Sequence, residues 1–467
     1  MKFKKSLFFF TFFLILIALY LIINSLIGSS KFIVLKNILS SEQKKIIKQI
    51  FFPYKYNKQL EKDNLRLSTE IRFLQRSIEN MLYENIKPYE IDIEIKNSLK
   101  DLVYKKNKIK NLKYKNYKLK KYLGDNSFVT GINNAFPGSG FLEFSNNKLF
   151  LASSIGIIAY GKISQEEIIF EQIKNNIEEF INVNQFKKNR RFSIKDLKII
   201  NNKIYISYTN EVNKDCWNTS VVYSNLDYSE LLFSKLFSPK ECVIKEGKEE
   251  LNGWQSGGRI IKFDEDHIFL SIGDFRVRHL AQMEDSLFGK IVKINIFTKK
   301  YEIISMGHRN PQGLFFDNKN KYLIETEHGP FGGDEINIIK LNNNNIPNYG
   351  WPIASYGEHY GKFEENIDKY KKYPLLKSHK DNGFVEPLHY FIPSIGISEV
   401  VGLGDKKYIV SSLKDRSLYL FRIDEKNKIQ NLEKIEIGER IRDLILQNDN
   451  LILFLEDSNS IGIINLK

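Results

Sequence analysis

From residue 126 onward the apolar positions fall in short runs separated by polar turns, and the 3.6-residue spacing of a helix disappears. Six runs rich in β-branched and aromatic residues recur: Lys148-Leu-Phe-Leu-Ala152, Lys203-Ile-Tyr-Ile-Ser207, His267-Ile-Phe-Leu-Ser271, Lys321-Tyr-Leu-Ile-Glu325, Lys407-Tyr-Ile-Val-Ser411 and Asn450-Leu-Ile-Leu-Phe454. After a second turn each is followed by a further such run: Ile157-Ile-Ala-Tyr160, Val221-Val-Tyr223, Ile291-Val-Lys-Ile294, Ile336-Asn-Ile-Ile339, Leu418-Tyr-Leu-Phe421 and Ile461-Gly-Ile-Ile464. Six units over 342 residues average 57 each, close to the length of a four-stranded blade with its loops. The pattern predicts an all-β, six-bladed β-propeller over residues 126–467; a sandwich gives no reason for sixfold recurrence. The widest gap, between Tyr322 and Tyr408, holds Asn348-Tyr-Gly-Trp-Pro352 and a stretch around Tyr356 and Tyr360. Propellers bind ligands where such long loops ring the channel, so a site is expected on that face.

The first 125 residues carry other periods. Lys2, Lys4 and Lys5 precede a run over residues 7–27 that is apolar apart from Thr11, Asn24 and Ser25. That length crosses a bilayer as one helix, so residues 1–30 read as a cytoplasmic tip and transmembrane anchor. A cleavable signal peptide is the competing reading, but Leu26-Ile-Gly-Ser-Ser30 is a poor cleavage site. Residues 31–125 read as a helical, Lys-rich stalk. Within it Leu60, Leu67, Leu74 and Met81 share one heptad position and Ile71 and Ile78 the other, with Asn64 on the seam. This spacing suits a short coiled coil that would pair two copies of the chain, or a single amphipathic helix. Residues 105–121 hold nine lysines and no acid, interleaved with tyrosines, as in a solvated linker or a segment lying on an anionic membrane surface.

Charge and cysteine content narrow the classes. The formal charge is +14, but residues 1–125 hold 26 Lys/Arg against 11 Asp/Glu, a net +15 that leaves −1 for the body. A nucleic-acid partner therefore finds little support in the propeller. Two cysteines exclude a disulfide scaffold and a four-thiolate metal site. Cys216 precedes one predicted strand and Cys242 follows the next, so in an antiparallel hairpin they lie at one edge and can bridge. A bridge places the body in an oxidising compartment, the periplasm or the exterior.

Chemistry-bearing residues concentrate in Gly307-His-Arg-Asn-Pro-Gln-Gly313, Thr326-Glu-His-Gly-Pro330, Gly332-Gly-Asp-Glu-Ile-Asn337 and Asn348-Tyr-Gly-Trp-Pro352. Glycines there let carbonyl oxygens approach a ligand, and such oxygens suit calcium. These blocks closely resemble the soluble glucose/sorbosone dehydrogenase family, six-bladed propellers that use pyrroloquinoline quinone (PQQ). The resemblance extends to Gln255-Ser-Gly-Gly-Arg259, Ile272-Gly-Asp274, Gly289-Lys-Ile291, Ser412-Leu-Lys414 and Arg440-Ile-Arg-Asp443, covering roughly residues 130–467.

The resemblance, which leaves the anchor and stalk unexplained, implies a sugar or polyol dehydrogenase that passes hydride from a sugar hydroxyl to a calcium-bound quinone; with the predicted anchor it would be held at a membrane. It assigns Arg309 and Asn310 to the quinone, Lys414, Arg440 and Arg442 to its carboxylates, and the carbonyls of Gly329 and Pro330 to calcium. The catalytic positions are Gln255, Asp274 and Arg309. One of them departs from the family: where Gln255 stands, the family has the histidine that takes the hydroxyl proton, and Asp274 matches the aspartate that orients it. An amide is no base near neutral pH, so a non-catalytic carbohydrate- or protein-binding propeller is the alternative.

Overall fold

The computed structural model describes residues 102–111, 118–124 and 140–467, the last apart from residues 155, 182–184, 186–191, 245–250, 342–344 and 362–363. The predicted anchor and the heptad segment lie outside the described residues. Among those described, no helix is long and apolar enough to cross a membrane.

Six antiparallel four-stranded blades follow one another. Blade I comprises Gly140–Ser145, Lys148–Ser153, Ile158–Ile163 and Glu167–Gln172; blade II Ile194–Ile200, Lys203–Asn213, Cys216–Asn225 and Ser234–Phe237; blade III Gly257–Lys262, His267–Ile272, Lys290–Asn295 and Tyr301–Met306. Blade IV comprises Pro311–Asp317, Tyr322–Glu327, Asp334–Lys340 and His389–Phe391; blade V Ile397–Gly404, Lys407–Ser412, Ser417–Ile423 and Ile429–Glu436; blade VI Ile441–Gln447, Asn450–Leu455, Ser460–Asn465 and Lys118–Gly124. The two runs that recur in the sequence are the second and third strands of every blade. These are packed on both faces, so they carry apolar side chains without alternation: in the second strand Asn450–Leu455 every residue but the first is buried. An apolar cluster fills each gap between neighbouring blades, for example Phe150, Ile204 and Val222 between I and II, and Leu151, Ile452 and Phe454 between VI and I. The inner strands touch in turn around the ring, which closes on itself.

The closure corrects the expected boundary at residue 126 and the helical reading of the lysine-rich segment. Lys118–Gly124 pairs with Ser460–Asn465 as the outer strand of blade VI, Leu119 opposite Ile464 and Lys121 opposite Gly462. Leu102–Asn111 pairs with it and also with Glu167–Gln172 of blade I, so the two strands join the outer edges of the first and last blades. Leu119 is 1% exposed among Ile435, Ile441, Leu451 and Leu453, and Lys121 pairs with Glu439. Both strands are hydrogen-bonded on either side, and along the second Leu119 turns into the core while Lys120 stays exposed, so a lysine-rich run is a strand here. A protein starting at residue 126 is therefore expected to melt lower than one starting at residue 100. Burial of Leu119 alone is worth about 1.5–3 kcal/mol, and the bare edge of Ser460–Asn465 adds to the loss. Equal melting temperatures for the two truncations would show that the strand closes nothing.

Register decides which residues share a face. In blades III, IV, V and VI the inner strand starts opposite the end of the second, at Gly257 and Ile272, Pro311 and Glu327, Ile397 and Ser412, Ile441 and Leu455. Residues just before each inner strand and just after each second strand therefore collect on one end of the ring. The insertion of blade IV, residues 341–388, reaches the same end, where Phe331 bridges to Glu358 and Met306 to Asn348. Deeper in the channel Arg259 of blade III meets Asp196, Glu399 and Asp443 of blades II, V and VI beside a cavity of about 340 Å³.

Candidate functional site

Asn252 caps the short turn Gly253–Gln255, its Oδ1 accepting from Trp254 N at 2.8 Å, and this delivers Gln255 to the start of the inner strand of blade III. The turn lies against the segment after the second strand, where Phe275 N donates to Gln255 O at 2.9 Å. A Cβ at Gly273 would lie 2.1 Å from that same carbonyl, so only glycine permits the approach. Gln255 is 5% exposed. With its amide turned so that both atoms find partners, Nε2 donates to Asp274 Oδ1 at 2.8 Å, and Oε1 accepts from Arg309 Nη2 at 2.7 Å and Arg276 Nε at 3.2 Å.

Asp274 is wholly buried; Oδ2 accepts from Trp351 Nε1 at 2.7 Å and Oδ1 from Arg276 N at 2.8 Å. Burial pushes its carboxyl above the ordinary value, and the Arg309 charge and these hydrogen bonds offset the push only in part. Arg309 N donates to Glu327 Oε2 at 2.6 Å, its carbonyl accepts from Asp274 N at 2.9 Å, and Nη1 donates to His328 O at 2.7 Å. Its guanidinium lies over the Trp351 ring, 5.3 Å from the centroid, while the buried Nε has no hydrogen-bond partner among the described residues. Asn310 adjoins it, with Oδ1 accepting from Gln312 Nε2 at 3.0 Å and Gly257 N at 3.3 Å.

Gly329 and Pro330 follow the second strand of blade IV. A Cβ at Gly329 would lie 1.9 Å from Gly333 O, so the loop folds tightly on itself. Asp334 pins it: Oδ1 accepts from Gly329 N at 3.1 Å and Oδ2 from Gly396 N at 2.7 Å. Burial raises the Asp334 carboxyl, but His328 and the Ile397 N–H more than offset this and hold it below its ordinary value. It is an anion at neutral pH. Lys414 follows the second strand of blade V, its backbone N donating to Ile395 O, and its exposed side chain makes no ion pair among the described residues. Arg440 and Arg442 stand at the start of blade VI. Both engage Glu456, Arg440 Nε at 2.8 Å and Arg442 Nη2 at 2.9 Å.

Gln255, Asp274, Arg309 and Asn310 thus form one contiguous cluster, and Gly329, Pro330, Lys414, Arg440 and Arg442 stand at equivalent places on the same end of the ring. Cys216 and Cys242 lie elsewhere, in blade II, joined by a disulfide beside the Trp217–Val243 bridge. Trp351 was visible in the motif Asn348–Pro352 but not its role, because nothing in sequence spacing aims an indole at a carboxylate 77 positions away. Glu456 gave no signal at all; its pairing with the two arginines follows from strand register. No histidine is hydrogen-bonded to Gln255 or Asp274 among the described residues: His308 bonds Ser305 Oγ at 2.8 Å in the interior.

Residues 198–465 match the family described as glucose/sorbosone dehydrogenase. The chain is 28% identical over 257 residues to an uncharacterized protein of Synechocystis, spanning 49% of this chain and 59% of that protein. It is 29% identical over 280 residues to the aldose sugar dehydrogenase YliI of Escherichia coli, spanning 55% of this chain and 71% of that protein. The PQQ-bound aldose sugar dehydrogenase from Streptomyces coelicolor shares the fold with a TM-score of 0.52, at 17% identity over 71% of this chain and 94% of that one.

Proposed function

The chain belongs to the glucose/sorbosone dehydrogenase family, and from that premise we propose that it is a membrane-anchored, PQQ-dependent oxidoreductase acting on a sugar or polyol. The observation that carries this reading is Arg309. Its backbone and both terminal nitrogens are held in place, yet its buried Nε has no partner among the described residues, a donor left over for a ligand. Asn310 stands beside it. Lys414, Arg440 and Arg442 bring cations to the same end of the ring, which suits a planar cofactor with three carboxylates. Because Glu456 already takes both arginines, Lys414 is the cation with least internal competition. The carbonyls of Gly329 and Pro330, on a loop pinned by Asp334, offer the oxygen ligands that calcium prefers.

When bound, a calcium-polarised quinone supplies the two-electron acceptor for a sugar hydroxyl. The chain's own residues bind and orient. Asp274, fixed by Trp351, holds the Gln255 amide, and Gln255 joins it to Arg309. An amide donates and accepts hydrogen bonds but takes no proton near neutral pH, so the position that orients the hydroxyl leaves its proton in place. Weak turnover follows. The same residue favours a second reading, a carbohydrate- or protein-binding propeller without turnover. Residues 7–27 serve as the anchor in this proposal, and the Cys216–Cys242 bridge suits a body facing the periplasm or exterior.

Dye-linked oxidation over a panel of aldoses, with calcium and the quinone supplied, tests the function; slow oxidation is expected. Lys414→Ala is expected to weaken quinone binding about 10–100-fold, the worth of a hydrogen bond to a charged group at 1.5–3 kcal/mol, without lowering the melting temperature. Unchanged affinity would remove Lys414 from the site. Tight quinone binding with no oxidation of any aldose would replace the enzyme by the binding propeller.

A further inference from the structure

Beneath Arg309, inside blade IV, lies a polar cell that the proposed quinone site does not use. His308 and Glu325 are 0% exposed and Glu327 is 3% exposed. His308 Nδ1 stands 3.6 Å from Glu327 Oε1 and 3.9 Å from Glu325 Oε2, and three such ligand atoms lie within 4.8 Å of one another. Asn337 closes the group, its Nδ2 donating to Glu325 Oε2 at 3.0 Å and Glu327 Oε1 at 3.3 Å. Tyr349 stacks on the imidazole with centroids 4.8 Å apart.

Two features of this cell call for a cation. Its charge is not balanced by protein: no lysine or arginine side chain pairs with Glu325 or Glu327 among the described residues, where isolated buried carboxylates cost several kcal/mol each. Its hydrogen bonding is also incomplete. His308 Nδ1, Glu325 Oε1 and Asn337 Oδ1 are buried without a hydrogen-bond partner among the described residues. The imidazole is held by its other nitrogen, Nε2, on Ser305 Oγ at 2.8 Å, which leaves Nδ1 facing the carboxylates at distances too long for a hydrogen bond.

Those distances are instead the spacing of ligands around an ion. A point equidistant from the three atoms lies about 2.1–2.4 Å from each, within the range of metal bonds to nitrogen and oxygen. We propose that His308, Glu325 and Glu327 bind one divalent transition cation of the zinc or manganese type, a structural centre separate from the proposed calcium at Gly329 and Pro330. Two carboxylates neutralise its charge, and the imidazole selects against calcium, which takes oxygen ligands. The Ser305 hydroxyl supplies the outer hydrogen bond that metal-bound histidines make through their second nitrogen. Glu327 ties the centre to the surface: Oε1 faces the ion while Oε2 accepts from Arg309 N at 2.6 Å. The ion would thereby brace the strand ends that carry Arg309 and Gly329.

Full-length protein, freed of metal by a chelator and supplied with excess calcium, is titrated with cobalt(II) as a visible probe. One cobalt per chain is expected, with ligand-field absorption in the visible, displaced by zinc and insensitive to calcium. Glu325→Gln, which keeps the shape of the side chain, is expected to weaken cobalt binding at least about 10-fold while far-UV circular dichroism is unchanged. Absence of cobalt absorption, full displacement by calcium, or absorption that survives unweakened in a folded Glu325→Gln would overturn the proposal. Should the variant fail to fold, the competition with calcium in the unmodified protein still decides. The readout is the metal itself, so it stands or falls independently of quinone binding and turnover.

Discussion

Arg259→Met is expected to unfold the ring, or leave it loosely packed, at pH 8. Arg259 is 8% exposed in the channel, and Nη1 pairs with Asp196 Oδ1 at 2.7 Å and Asp443 Oδ1 at 2.9 Å, while Nε reaches Glu399 and Gln312 O. The carboxylates pass the contact on: Asp443 Oδ2 accepts from Leu142 N of blade I at 2.6 Å, and Asp196 Oδ2 from Ile260 N at 2.7 Å. One guanidinium therefore connects all six blades. Removing it leaves three buried carboxylates with no cation at their centre, and breaking a buried pair from one side costs about 3–5 kcal/mol.

Acid should return part of that loss. Burial, then the Asp443 charge, pushes the Asp196 carboxyl up to about 7 against the pull of Arg259, and burial raises Glu399 well above the carboxylate range. A carboxyl raised in the folded state holds a proton there that the unfolded chain releases. Its stabilisation is complete below the unfolded value of 3.8 and is lost as pH rises through about 7. The unmodified protein should therefore gain stability from pH 8 to pH 5.5. Arg259→Met should gain more, because the opposing charge is gone. Thermal melts at the two pH values check both statements; a variant that melts like the unmodified protein at pH 8 would show that the clasp contributes nothing.

Gln255→His is the second large effect, an increase in aldose turnover of about 10²–10⁴-fold, the usual worth of general-base assistance. The surroundings already suit a histidine. Asp274 is fixed by Trp351 and Arg276 and donates nothing, so it would accept an imidazole N–H and leave the other nitrogen as the base. Quinone affinity should change far less than the rate, since Asn310 and Lys414 are untouched. Rapid oxidation by the unmodified protein with no gain in the variant would mean that another group takes the proton.

The parts of the fold that were legible in the sequence are those buried on both faces. Second and third strands such as His267–Ile272 and Lys290–Asn295 read as apolar runs because neighbouring blades cover them. Inner strands were illegible for the opposite reason. Gly257–Lys262 and Pro311–Asp317 spend their first residues on the channel and the site, so Gly, Arg, Pro and Gln stand where a strand signal would be. The closing strands were hidden by composition, since Lys118–Gly124 sends Leu119 into the core and leaves Lys120 exposed, and a run so rich in lysine reads as solvated. At the site the resemblance identified Gln255, Asp274, Arg309 and Asn310, which the structure brings together. Long-range partners such as Trp351 on Asp274 and Glu456 on Arg440 depend on how blades are registered, and no local spacing encodes that.

The proposed role of the ring's one face is tested most directly by calorimetric titration of the calcium-loaded full-length protein with PQQ. The account predicts one quinone bound per chain, dependent on calcium and weakened in Lys414→Ala. No binding heat with calcium present, at concentrations where the folded protein is intact, would contradict it.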